Sequence, residues 1–179
     1  MTDERMGDGL WSALDALPRK GGVVFRHYGL NDADRRQLFM QVARVARRRG
    51  LVLILAGPVR LGRGAVGRHG RSPHRSPGLR TWPAHNAREV IAGIRMGADA
   101  IFISPVFPTS SHPGGRALGT RGAARLARLG AFKAIAMGGL DATRFAAVKQ
   151  AGFYGWAAID AWTKPTRQAT DGRKQDDII

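Results

Sequence analysis

The stretch from Gly97 to Gly119, GADAIFISPVFPTSSHPGGRALG, decides how the chain is read. Gly97 suits a helix stop, because a residue without Cβ takes the left-handed backbone that ends helices. Ala100 to Ser104 follows as a short apolar run without polar alternation, the pattern of a strand covered on both faces. Next come Thr109, Ser110 and Ser111, then His112 and Pro113-Gly114-Gly115. Hydroxyl groups and backbone N–H donors in such a turn can converge on an oxyanion.

Working outward, the same rhythm repeats on both sides. Upstream, Asn86 to Met96 reads as a helix with an Asn cap and Glu89 three residues later. Val23 to Arg26 and Leu51 to Leu55 read as strands, separated by a helix over Asp34 to Arg49 that places Leu38, Val42, Val45 and Ala46 on one face and stops at Gly50. Downstream, strands over Phe132 to Met137 and Trp156 to Asp160 alternate with alanine-rich helices over Arg121 to Leu129 and Asp141 to Gln150, the second opened by an Asp cap. Strand and helix in alternation imply βα units on a parallel sheet. Gly57 to Arg80 breaks the pattern: rich in Gly, Pro and Arg and free of carboxylates, it reads as loop, with Gly64 to Val66 as a brief strand. Gly138-Gly139 ends a strand with two residues that let the backbone approach a ligand closely.

With 179 residues the chain is one domain by length, spanning 1–162, with a polar tail over 163–179 that reads as frayed. Hydrophobic residues make up 44% and charged residues 23%, a globular composition, and no apolar run reaches the roughly 20 residues that span a bilayer. No membrane partner is expected, and the absence of a legible leader makes the cytoplasm the default location. Without cysteine, chemistry must run on oxygen, imidazole or backbone groups. The formal charge is +16, and no Asp or Glu occurs from Arg35 to Arg88. That field attracts anions. Of the 29 basic residues 24 are Arg, spread through helices and loops alike, and no nucleic-acid motif accompanies them. A phosphorylated small molecule therefore ranks above nucleic acid or an acidic partner as the ligand.

The Gly97 to Gly119 segment resembles the sixth strand and following loop of the thiamine phosphate synthase and TenI family, which read as GADY, an apolar strand, PVFPT and a hydroxyl-rich turn. Ala84-His85-Asn86 before a helix, AMGGL at Ala136 to Leu140 and GWAAIDAW at Gly155 to Trp162 fall in the same order. Arg26 sits where the family has an Arg on its second strand. The resemblance implies a (β/α)8 TIM barrel whose first strand would lie upstream of Met1, because Met1 to Arg5 resembles the loop that leaves that strand. A sheet short of one strand leaves two edges, which favours pairing with another chain, so a homo-oligomer is one expectation.

The family couples a pyrimidine methyl diphosphate to a thiazole phosphate and releases pyrophosphate, with Mg²⁺ and cationic side chains neutralising the leaving group. Carried over, Thr109, Ser110 and Ser111 hold the thiazole phosphate, Gly138, Gly139, Ile159 and Asp160 complete the substrate pocket, and Arg26 and His112 serve the diphosphate. Several positions depart from the family. Its Asn-Asp metal pair aligns with Ala56-Gly57, its second metal Asp falls in Gly70 to Pro73, His112 replaces a Lys, Asp160 replaces a Ser, and Pro105 stands where the tautomerase branch has a catalytic His. Mg²⁺ is thus expected from the resemblance while no ligands for it are legible. Three readings stay open: a working synthase, a degenerate member that binds a thiamine-related phosphate, and an Arg-rich module for nucleic acid or an acidic partner. The plainer readings are a strand-end hydrogen bond for His85 and packing for Trp82, Trp156 and Trp162.

Overall fold

The structure, a computed structural model, describes residues 1–73, 77–109 and 115–163. Seven strands form one sheet: β1 (Gly22–Phe25), β2 (Val52–Ala56), β3 (Gly67–His69), β4 (Leu79–Ala84), β5 (Ala100–Ile103), β6 (Lys133–Met137) and β7 (Gly155–Ala157). Each is parallel to the next, in strict sequence order. The helices are α1 (Gly9–Ala16), α2 (Asp32–Arg49), α3 (Ala87–Arg95), α4 (Gly119–Ala127), α5 (Ala142–Lys149) and α6 (Asp160–Thr163).

The apolar runs are continuous because each strand packs on both faces. Val24, Ile54, Ala56 and Phe102 share one cluster with Ile135, Met137 and Ala157, which draws side chains from both ends of the sheet and shows that it curls. Their neighbours point the other way. Phe25, Leu53 and Leu55 meet Phe39, Val42 and Ala46 of α2, while Ile101, Ile103, Ala134 and Ala136 meet Val90, Ala123, Leu126 and Val148 of α3, α4 and α5.

Closure into an eight-stranded barrel, expected from the resemblance, is not what the hydrogen bonds show. The sheet is open, with β1 and β7 as its edges. The first two residues make backbone bonds on either side of the opening: the Thr2 N–H donates to the Val24 carbonyl at 2.9 Å, and the Met1 α-amino group donates to the Ala158 carbonyl at 2.9 Å.

Two strands, β3 and β4, and two helices, α1 and α6, were not legible. β3 and β4 lie in or just beyond the stretch read as loop, and Gly64–Val66 precedes a strand instead of forming one. β3 is Gly-Arg-His, which has no β propensity of its own. Its neighbours hold it, through Ile54 to Ala56 on one side and Leu79 to Thr81 on the other. β4 contains Pro83, which lacks the N–H a central strand uses and so argues against a strand from sequence. Helix α1 buries Leu10, Ala13 and Leu14 against the β1 side of the core. Arg26 and Asp160, read as strand residues, lie just past β1 and at the start of α6. The expected frayed tail beyond 163 lies outside the described residues.

The helix punctuation read from the sequence is present. Gly50 ends α2 at φ 67°, and Asp141 caps α5 by accepting the Arg144 N–H at 2.8 Å. Asn86 Oδ1 accepts the Glu89 N–H at 3.0 Å, and Glu89 reaches back to the His85 N–H at 2.7 Å. Asn86→Ala removes this cap, and urea unfolding should show a loss of about 1 kcal/mol.

Candidate functional site

All seven strands point the same way, so their C-terminal ends gather at one mouth, where loops are free to vary without disturbing the core. At the end of β1 the chain turns sharply: His27 sits at φ 40°, in left-handed backbone that few non-glycine residues adopt. Thr2 supports the turn. Its hydroxyl accepts the Arg26 N–H at 3.0 Å and lies 3.0 Å from His27 Nδ1. The His27 ring stacks on Phe25, and burial pushes its pKa below the ordinary imidazole value, so it is largely neutral near pH 7.

Arg35, buried on α2, ties two strand ends together. Its Nε donates to the Arg26 carbonyl at 2.9 Å and its guanidinium to the Ala56 carbonyl at 2.8 Å. Two guanidinium groups lie over the Tyr28 ring, Arg35 at 5.1 Å and Arg26 at 5.7 Å from its centre. Among the described residues no carboxylate lies within ion-pair distance of Arg26. The Arg26 charge at the end of β1 thus has no carboxylate beside it among the described residues.

The arginines around β3 are committed elsewhere. Arg68 donates to the carbonyls of Gly57 at 2.8 Å and Val59 at 3.1 Å, and Arg71 pairs with Glu89 at 2.6 Å. His69 is buried, with Nδ1 2.9 Å from the Thr81 hydroxyl and its ring against the edge of Phe102. Burial drives its pKa down to about 4, the nearby Arg26 charge adding to the effect, so His69 is neutral at pH 7. His85 sits at the surface, 2.9 Å from the Glu89 carboxylate, in the strand-end role read for it.

The clearest convergence lies between β5 and β6. Val106 N–H donates to the Met137 carbonyl at 2.9 Å and Phe107 N–H to the Gly138 carbonyl at 3.1 Å. These bonds bring the Thr109 loop and Gly138-Gly139 together. A Cβ on Gly138, at φ 95°, would come within 2.8 Å of Pro105 Cα, and one on Gly139, at φ 62°, within 3.0 Å of Phe107 Cβ. Both glycines are thus required by contact between two loops, whatever else they serve. Arg144 fixes the outer side by donating to the Gly139 carbonyl at 2.7 Å. Thr109 is half-buried here, while Ser110, Ser111 and His112 lie outside the described residues.

At β7 the predicted pair separates. Ile159 is buried in the apolar cluster with Leu10 and Leu14, so its side chain packs and only its backbone is free to serve a ligand. Asp160 opens α6 and its charge acts on Arg5. Sequence reading missed Thr2, His27, Arg35 and His69. One signal was available: Arg35, Phe39, Val42 and Ala46 share the buried face of α2, and a charged residue on an apolar stripe marks a buried polar contact.

The described side chains do not fit Mg²⁺. Oxygen ligands would be needed at the ends of β2 and β3, where Ala56, Gly57 and Gly70 stand. Elsewhere Asp3 bonds Arg5 at 2.7 Å, Glu4 accepts the Gly29 N–H at 2.6 Å, and Glu89 is held by Arg71 and His85. No group of three His, Asp or Glu side chains suited to a metal occurs among the described residues. None of the described helices is long and apolar enough to cross a membrane.

Comparison with known proteins agrees with this architecture. Residues 81–162 match the family model described as thiamine monophosphate synthase. A thiamine-phosphate synthase from Geobacillus kaustophilus is 32% identical over 173 residues, covering 86% of this chain and 76% of that protein. The solved thiamine phosphate pyrophosphorylase of Pyrococcus furiosus superposes with a TM-score of 0.75 at 18% identity, over 92% of this chain and 85% of that one. The corresponding protein of Bacteroides thetaiotaomicron gives 0.58 at 16% identity, over 96% and 85%.

Proposed function

Given that the chain belongs to the thiamine phosphate synthase family, we propose that it joins a pyrimidine methyl diphosphate to a thiazole phosphate and releases pyrophosphate at the mouth described above. The observation that carries this reading is the pair of backbone bonds from Val106 and Phe107 to the Met137 and Gly138 carbonyls, which set the Thr109 loop beside Gly138-Gly139 at the strand ends. In this reading Thr109, Ser110 and Ser111 hold the thiazole phosphate beside the two glycines. The bond from the pyrimidine methylene carbon to the diphosphate oxygen breaks with its electron pair leaving on oxygen, and the thiazole nitrogen lone pair forms the new C–N bond. Arg26 stabilises the charge gathering on the diphosphate, assisted by a donor from His112.

Purified protein given both substrates with Mg²⁺ in the buffer should release pyrophosphate and form thiamine phosphate in equal amounts. Arg26→Met should lower kcat/KM by about a hundredfold, as loss of one charge-stabilising donor does. No product above the uncatalysed background at high protein concentration would sink the reading. The misfit of the β2 and β3 ends to Mg²⁺ favours a second reading, a family member that binds the thiazole phosphate without turnover. Calorimetry with that compound should then show binding that Thr109→Val weakens about tenfold, the effect of about 1.4 kcal/mol from a lost hydrogen bond to a charged group.

A further inference from the structure

Between β2 and β3 the chain crosses over without a helix, and the crossing segment lies against α2. Glycines permit the close approach: a Cβ on Gly62 would meet the Met40 sulfur at 3.0 Å, and one on Gly64 would meet the Ala43 Cβ at 2.9 Å. Helix and segment therefore form one surface. Six exposed arginines stand on it, Arg36, Arg44, Arg47 and Arg48 from α2 and Arg60 and Arg63 from the crossing segment.

These arginines differ from those the fold uses. Arg35, Arg49, Arg68 and Arg80 donate to backbone carbonyls, and Arg71 pairs with Glu89. None of the six has an ion pair or a side-chain hydrogen bond among the described residues. No Asp or Glu occurs from Arg35 to Arg88, so the strip carries no carboxylate of its own. The helix dipole accounts for Arg47 and Arg48 in the last turns of α2, but not for Arg36 near its start or for Arg60 and Arg63. Like charges held this close repel one another until an anion neutralises them.

The shape and chemistry of the strip narrow the anion. From Arg36 to Arg48 the helix rises about 18 Å, the length of about five base pairs of a double helix. Guanidinium groups match phosphate oxygens in pairs. Met40, 49% exposed, is the one large apolar side chain that α2 shows to solvent, beside Gln37 and Gln41, which is too little apolar surface to enter a bilayer. The strip has no aromatic ring on which the bases of a single strand would stack. A duplex, with its phosphates outside and its bases already stacked, asks for cations alone. We propose that this strip binds the phosphate backbone of a nucleic-acid duplex without reading its base sequence. It shares no residue with the mouth, so the proposal stands or falls independently of the transferase reading.

The test is the anisotropy of a labelled DNA duplex of about 20 base pairs, titrated with the whole chain from about 50 to about 200 mM salt. Log affinity should fall against log salt with a slope of about −5, roughly 0.9 for each of six neutralised phosphates, and duplexes of unrelated sequence should bind alike. Arg44→Gln combined with Arg47→Gln should weaken binding about tenfold and reduce the slope by about 2. Arg121→Gln combined with Arg125→Gln removes the same charge from exposed positions on α4, on the β5 side of the sheet, and should change affinity by no more than about twofold. Gln and Arg have similar helix propensity, so both double variants keep the fold. Equal weakening by the two pairs would overturn the proposal, because overall charge would then do the binding. Absence of binding at the lowest salt, a flat salt dependence, or tighter binding to a single strand of the same length would overturn it as well. Equally tight binding to polyglutamate, or to phosphatidylcholine vesicles containing phosphatidylserine, would assign the strip to another class of partner and have the same force.

Discussion

Gly138→Val should cost the protein about 3 kcal/mol or more, enough to remove most of the soluble folded material from a domain of ordinary stability. The argument has two parts. The residue adopts φ 95°, where a β-branched side chain is strained by roughly 1–3 kcal/mol before it meets anything. Its Cβ would also fall 2.8 Å from Pro105 Cα and 3.3 Å from the Val106 nitrogen, and backbone cannot swing aside as a side-chain tip can. Relief requires the loop after β5 to part from the end of β6, breaking the bonds from Val106 to Met137 and from Phe107 to Gly138. Gly22→Ala is the control: its Cβ would meet nothing within 4 Å and φ is not positive, so its unfolding midpoint in urea should barely move. A Gly138→Val protein with native midpoint and yield would show that the two loops are not held together in solution.

Acidification should unfold the chain well before its carboxylates protonate. Burial lowers the Met1 α-amino group from 8.0 to about 5 and His69 from 6.5 to about 4. Both are bases whose folded values lie below their unfolded ones, so between those values the unfolded chain binds more protons. Stability is therefore full above pH 8 and declines as pH falls, first through the Met1 window from 8.0 to about 5 and then through the His69 window from 6.5 to about 4. At roughly 1.4 kcal/mol per pH unit, His69 alone removes about 3 kcal/mol by pH 4. Urea midpoints measured from pH 8.5 to 4.5 should fall throughout, and His69→Gln should flatten the lower part of the curve. Midpoints constant from pH 8 to 5 would contradict the burial of both groups.

The parallel sheet and the β5 to β6 pairing could be read from the chain because they are written locally. The AIFIS run, the Asn86 and Asp141 caps and the glycine pair each declare themselves within a few residues. β3 could not be read this way, since Gly67-Arg68-His69 becomes a strand only when Ile54 to Ala56 and Leu79 to Thr81 supply its neighbours. The same reason hid half of the mouth. Thr2 and His27 are 25 residues apart, His69 and Thr81 are 12 apart, and Arg35 reaches Ala56 across 21 residues. No spacing rule links such pairs before the fold is known. Arg26 was found by resemblance, whereas the carbonyl contacts of Arg35 and Arg68 and the pairing of Arg71 with Glu89 become visible only in the fold.

The strict order of the strands bears on how the molecule assembles. Every strand pairs with its successor, so the sheet can grow by adding one unit to a finished edge, each addition closing a modest loop. The bond from Met1 to Ala158 is different: 157 residues separate its partners. Its partners can meet only after the strands between them are in place, so the packing of α1 on α6 and Ile159 seals the two ends of the sheet together late in assembly.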